Sequence, residues 1–427
     1  MPEFRLFSDE ELAANTAELT GAFSAACAAG TPLEDAFRQA AEAIADLFLG
    51  RSDTLADQMQ QKGPLVAASR QAGLAQLAET WGTALDAYYT VTVAAAELGA
   101  LSSLRRDEAQ SPADSVSAAL ALLHARACRT ALEVHALLAA GFPGGAYARY
   151  RTMHELAVTT AVIAEHGRTP EHADLADRYL NHTHIEHYQQ AEHYQRSSRQ
   201  LGWQPFSEET MRGLKKERDR LTSRYGRGYR EPYGWAAGLI KPLTFASLEA
   251  KADMDILRYL YITGSHLIHA TAHGLRLTLQ DATSAVAIAG PSDTGLAQPA
   301  QASLNALIDV TAGLVLHGGH PDDASILLNF AALHELRNRT WRLLDQAEDR
   351  KAGSPLHGET RRSPLAPDHG ERPQVPRRPA PTVPTTSIPR SGVARTAAGR
   401  AWAHRRARDP PNCSRVARLL GAPGLGT

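Results

Sequence analysis

The chain reads as an all-α, multi-helix bundle of about 350 residues followed by a Pro/Arg-rich tail, and three observations predict this. Apolar residues recur at three and four positions: Val116, Leu120, Leu123, Ala127, Ala131, Val134 and Leu138 trace one helical stripe. The alternation of a half-buried strand is found nowhere. Helix-start chemistry recurs at several boundaries, in segments rich in Ala, Leu, Glu, Gln and Arg, which lose little freedom in a helix.

In chain order, the first strong start is Thr31-Pro32-Leu33-Glu34, where Thr31 can cap, Glu34 can reach back and proline fits the first turn. Ser111-Pro112-Ala113-Asp114, Thr169-Pro170-Glu171 and Ser207-Glu208-Glu209 repeat that logic. Together, pattern and caps predict helices near 9–29, 32–49, 64–102, 112–140, 145–167, 170–200, 207–225, 245–281, 300–317 and 321–350. The polar patch 102–111, with Arg105, Arg106, Asp107 and Glu108, is the expected end of an N-terminal helical region, 1–105. A bundle domain over 106–350 then precedes the tail, 351–427.

The tail holds 12 of the 24 prolines and a single aromatic residue, Trp402, too little apolar surface to offset its conformational entropy. Disorder is the expectation there, in a dispensable extension rather than a working arm. The net charge of −1 hides an asymmetry, for the tail carries 14 Lys and Arg against 4 Asp and Glu. The remaining body is therefore acidic, which argues against broad nucleic-acid binding by the folded part.

Composition excludes several classes. An apolar content of 43% is ample for packed cores without staples. Cys27, Cys128 and Cys413 are far apart, with no C-x-x-C spacing for zinc or redox work, and suit a reducing cytosol. The start at Met1-Pro2-Glu3-Phe4-Arg5 turns acidic at Asp9 and lacks the build of a secretion signal. No apolar run approaches the roughly 20 residues that span a bilayer. A cytoplasmic protein without a membrane span is expected. Walker loops, dinucleotide glycine fingerprints, H-E-x-x-H helices and G-x-S-x-G elbows are all missing.

Four polar clusters interrupt the apolar pattern. Arg151 and Glu155, four apart on one face, sit in a helix that becomes apolar almost all round; a guanidinium fixed beside a carboxylate can orient a substrate, or simply pin one helix to another. In the helix expected from 245 to 281, His266, His269 and His273 fall on one side, and Ser265 lies four residues from His269. Such a row can ligate a transition metal or supply a general base, but a metal site would want a further ligand from another helix, so satisfied interior histidines are the plainer reading and no metal is assigned. Residues 181–194 spell Glu-His-Tyr twice, six apart, which is not a face repeat and reads as a solvated helix. Residues 212–230 are strongly basic: Lys215, Lys216, Arg220 and Arg224 are the candidates for phosphate or substrate contact, with Tyr225, Tyr229, Tyr233 and Trp235 following. An ordinary charged helix running into a Tyr/Gly-rich loop is the plainer alternative.

A resemblance rests on several of these residues. Gly145 followed by Arg151-x-x-x-Glu155, then Ala173-Asp174-Leu175-Ala176-Asp177-Arg178-Tyr179, Tyr233-Gly234-Trp235, and Tyr261 before Ser265-x-x-x-His269 resemble the bacterial proteins grouped as domain-of-unknown-function family 5677, over about 118–282. The resemblance implies a helical bundle in which Arg151, Glu155, Trp235, Ser265 and His269 approach one another, with Tyr233 and Trp235 as an aromatic pocket. It implies no activity, cofactor or partner, and leaves His154 and His266 without a role. Arg149-x4-His154 also satisfies the spacing of HEPN-type helical ribonucleases, as Arg178-x5-His184 does, though chance produces such spacings in a chain this rich in arginine.

The leading expectation is therefore a non-enzymatic interaction or regulatory module. In it, Arg151 and Glu155, with Ser265 and His269, form an inward polar network that fixes helix register. The alternative is a hydrolase, with RNA as its candidate substrate, His269 as general base, Arg151 steadying a phosphate and 212–230 guiding the substrate.

Overall fold

The computed structural model describes residues 59–108, 114–279, 287–317 and 323–352, with scattered positions between 10 and 57. The tail beyond Ala352 and the predicted helix 32–49 lie outside the described residues. Among those described, the protein is all-α; the only β-type pairings are isolated bridges, Ala237 with Ile240 and Leu279 with Ala287. No described helix is long and apolar enough to cross a membrane.

The helices are α1 (Gly63–Glu108), α2 (Ser115–Ala139), α3 (Pro143–His166), α4 (Leu175–Asn181), α5 (Thr183–Leu201), α6 (Glu208–Tyr225), α7 (Phe245–Lys251), α8 (Arg258–Ile268), α9 (Ala272–Arg276), α10 (Ala297–His317) and α11 (Ala324–Ala352). Their packing divides the chain into two units, Met1–Gly82 with Ala139–Gly141, and Thr83–Leu138 with Phe142–Thr427. In the first, Leu77 and Trp81, four apart, are buried.

Local chemistry sets the starts. Asp114 accepts from the Ser117 amide at 2.6 Å ahead of α2, Pro143 opens α3, and Ser207 accepts from the Thr210 amide at 3.1 Å to cap α6. Gly202, with φ of +66°, closes α5 in the left-handed conformation that glycine adopts without strain.

Two predicted helices are broken in the structure. The stretch 170–200 becomes a 3-10 turn at Pro170–His172 followed by α4 and α5. The stretch 245–281 becomes α7, a 3-10 turn at Asp255–Leu257, α8 and α9. Asp253 takes a positive φ of 55°, which aspartate tolerates better than most residues, and so turns the chain after α7. His269 is extended at φ −95°, ψ 145°, while Thr271 accepts from the Gly274 amide and starts α9 afresh.

The core lies around α3. Its neighbour α10 is buried on nearly every side, from Ala300 through Val315, as expected of a central helix. Gly313 of α10 faces the Thr160 methyl of α3, and Gly264 of α8 faces the Tyr147 carbonyl of α3. Small residues thus let two helices approach α3 closely. Tyr88 of α1 ties this centre together, with its hydroxyl 2.9 Å from Ser303 Oγ of α10 and 3.3 Å from the Ala131 carbonyl of α2.

Two titratable groups, Asp309 on α10 and His124 on α2, are shifted with opposite sign. Burial pushes the Asp309 carboxyl up to about 7, against the lowering influence of Arg337, and burial pushes His124 down to about 4. The raised acid contributes stability at low pH that is lost as pH climbs from about 4 to about 7. The depressed histidine contributes stability above its unfolded value that is lost as pH falls toward about 4. Relative to wild type, Asp309→Asn should therefore gain melting temperature as pH rises through this window, and His124→Gln should lose it. Each difference should be roughly 3–4 kcal/mol across the full window in thermal melts, and parallel profiles for all three proteins would refute the assignment.

Candidate functional site

The pair Arg151 and Glu155 lies on the side of α3 that meets α8. Arg151 Nη2 is 3.2 Å from Glu155 Oε1 and donates to the Tyr261 hydroxyl at 2.9 Å, while that hydroxyl donates to Glu155 Oε1 at 3.0 Å. The guanidinium also sits 4.9 Å from the Tyr261 ring centre. These three side chains close a triangle across two helices. It is not sealed: the Arg151 and Glu155 side chains are 28% and 37% exposed, so the inward placement expected of the pair is corrected to a half-solvated one. Tyr233 borders the same set, its ring 6.2 Å from Phe245, which in turn lies 4.7 Å from Tyr261. Burial first, then the charge of Glu155, pushes the Tyr233 phenol up to about 12.

Behind the triangle lies a deeper one that the sequence reading missed. His154 Nε2 is 2.9 Å from Glu249 Oε1, with side chains 1% and 0% exposed. Arg258, half in solvent, donates to the other Glu249 oxygen. Phe245, Tyr150 and Tyr261 enclose the imidazole, with ring centres 5.8–6.0 Å away. Tyr261 is thus shared, its hydroxyl in the outer triangle and its ring against the inner histidine. His154 stands between Arg151 and Glu155 in a polar turn of α3, so nothing local marked it as the buried one, and its partner lies 95 positions away in a short helix.

The remaining expected residues are placed elsewhere. Ser265 donates to the Tyr261 carbonyl within its own helix at 3.0 Å, and His269 is exposed at the end of α8, so the break after α8 undoes their shared face. His266 meets Thr271 Oγ1 at 3.1 Å and packs on His273 at 4.8 Å. Among the described residues, no three His, Cys, Asp or Glu gather in a group that could hold a metal ion. Trp235 is buried edge-on against Tyr179 at 5.1 Å rather than beside Tyr233 in one aromatic pocket.

The basic segment is α6 and the turn after it, whose main packing partner is α5. Arg220 pairs with Glu217 at 2.6 Å, Arg218 and Arg230 both meet Asp219, and Arg224 lies 5.0 Å from the Tyr225 ring. Lys215 and Lys216 are exposed. Tyr229 and Trp235, offered above as stacking surfaces, are buried. Arg149 and His154 face different ways: Arg149 reaches Glu133 of α2 at 2.5 Å, beside an open groove of about 410 Å³ lined by Arg126, Arg129 and Thr130, while His154 points into the core.

Residues 117–284 match the model of a family of unknown function (DUF5677), and both triangles fall within that span. No curated protein and no solved structure matches the chain.

Proposed function

We propose that the chain is a non-enzymatic helical module, serving interaction or regulation, in which the two triangles hold α3, α7 and α8 in register. One observation carries this reading: the charges at the site are spent on one another. Arg151 is met by Glu155 and Tyr261, and Glu249 by His154 and Arg258. A general base must reach the proton it removes. His154, at 1% exposure, is shut away from any substrate, and His269 has neither Arg151 nor Glu155 among its hydrogen-bond partners. A reducing cytosol is the compartment this reading adopts, consistent with a buried free thiol at Cys128 that burial pushes up to about 12.

The test is paired. Purified wild type and His269→Ala should behave alike toward pooled RNA and model phosphodiesters, with no cleavage by either; cleavage that His269→Ala removes would overturn the reading in favour of a hydrolase. In the same preparations Glu155→Ala should cost about 1 kcal/mol or less in urea unfolding, because a pair this exposed is screened by water and its partner can resolvate.

A further inference from the structure

The α5–α6 hairpin carries a feature that register-keeping does not use. Its tip is apolar and turned outward: residues 201–210 are all exposed, with Leu201, Trp203 and Phe206 at 52%, 54% and 42%. That exposure is built in. Trp203 stacks on Tyr194 at 5.7 Å, Phe206 lies 4.8 Å from the same ring, and the Tyr194 hydroxyl donates to the Gln204 carbonyl at 2.9 Å. Gln195 clamps the far side, accepting from the Phe206 amide and donating to the Phe206 carbonyl, both at 2.9 Å. The turn is closed and fixed, yet three large apolar side chains remain in water.

The flanks are cationic. Residues 196–216 hold five Lys and Arg against two Glu. The acidic residues further along α6, Glu217 and Asp219, are already paired with Arg220, Arg218 and Arg230, whereas Arg199, Arg212, Lys215 and Lys216 are exposed and form no ion pair within the hairpin. Of α6 only Leu221 is buried, so the helix gives little of its surface to the bundle.

We propose that this tip docks on an anionic lipid bilayer, with Leu201, Trp203 and Phe206 entering the interfacial zone and Arg199, Arg212, Lys215 and Lys216 meeting the headgroups. Tryptophan and phenylalanine beside an aliphatic residue are the composition that partitions into that zone, and nearby cations add attraction to acidic lipid. A nucleic acid fits less well: base stacking needs free aromatic faces along a groove, Trp203 has one face taken by Tyr194, and Leu201 has none to offer.

The full chain should sediment with vesicles of phosphatidylcholine containing phosphatidylserine, and far less with phosphatidylcholine alone or at high salt. W203A/F206A should weaken sedimentation about tenfold, as loss of buried interfacial area requires, with an unchanged circular dichroism spectrum. Should that variant misfold, K215Q/K216Q, which alters only exposed side chains, is expected to weaken it several-fold. Wild-type sedimentation by the folded variants, failure of wild type to sediment with acidic vesicles, or single-stranded RNA bound in preference to vesicles would each overturn the proposal.

Discussion

Replacing Glu249 by alanine should cost about 3 kcal/mol of stability, several times the cost of replacing Glu155, although Glu155 is the more conspicuous residue in the sequence. The Glu249 side chain is 0% exposed and receives His154 on one oxygen and Arg258 on the other. Arg258 is 41% exposed and can turn to water when its partner goes. His154 cannot. Its ring is walled by Phe245, Tyr150 and Tyr261, so the variant leaves a buried imidazole nitrogen without a partner, worth about 1–3 kcal/mol, beside a cavity the size of the lost carboxylate. Glu249→Gln keeps the volume and one hydrogen bond and should recover about half of the loss. Urea unfolding of the three proteins measures this directly. If E249A unfolds at the same denaturant concentration as wild type, the inner triangle contributes nothing to the fold, and the register argument fails with it.

That contrast also marks how far one sequence could be read. The helical class and the nearly all-round apolar character of 145–167 were legible because periodicity and capping are local, and the span of the family match was legible through the short motifs that carry the resemblance. Arg151 and Glu155 were legible as a pair for the same reason, being four apart on one helix. What stayed hidden was which faces meet. His154 and Glu249 pair across 95 positions, and nothing local to either announces the other. Nor did any proline or glycine mark the breaks that separate α7, α8 and α9. Those depend on Asp253 taking a positive φ and on the Thr271 hydroxyl claiming the Gly274 amide, each a side-chain choice that competes with a helix the composition favours. The consequence for the site was large. A continuous helix would have set Ser265 and His269 on one face; the break sends His269 into solvent and leaves Tyr261, one turn before Ser265, as the residue that α8 contributes.

Gly264 is where that contribution can be tested without touching a polar atom. A β-carbon there would fall 2.8 Å from the Tyr147 carbonyl oxygen and 3.3 Å from Arg151 Cβ. The first obstacle is backbone and cannot swing aside, so α8 must move off α3. Tyr261 stands three residues earlier on α8, and its bonds to Arg151 and Glu155 stretch with any such shift. Helix propensity alone would reward Gly264→Ala by about 1 kcal/mol. Overpacking at a tight helix crossing costs about 1–3 kcal/mol, so alanine should come out net destabilising and Gly264→Val, with two more carbons to place, should lose about 3 kcal/mol. Gly213 supplies the matched control: it lies inside α6 with nothing within 4 Å of a built β-carbon, and Gly213→Ala should raise stability by about 0.5–1 kcal/mol. Opposite signs for the same substitution at two helical glycines would trace the penalty to the α3–α8 contact. A stabilised G264A would show instead that α8 can slide on α3, and that the Tyr261 triangle follows the helices rather than setting where they lie.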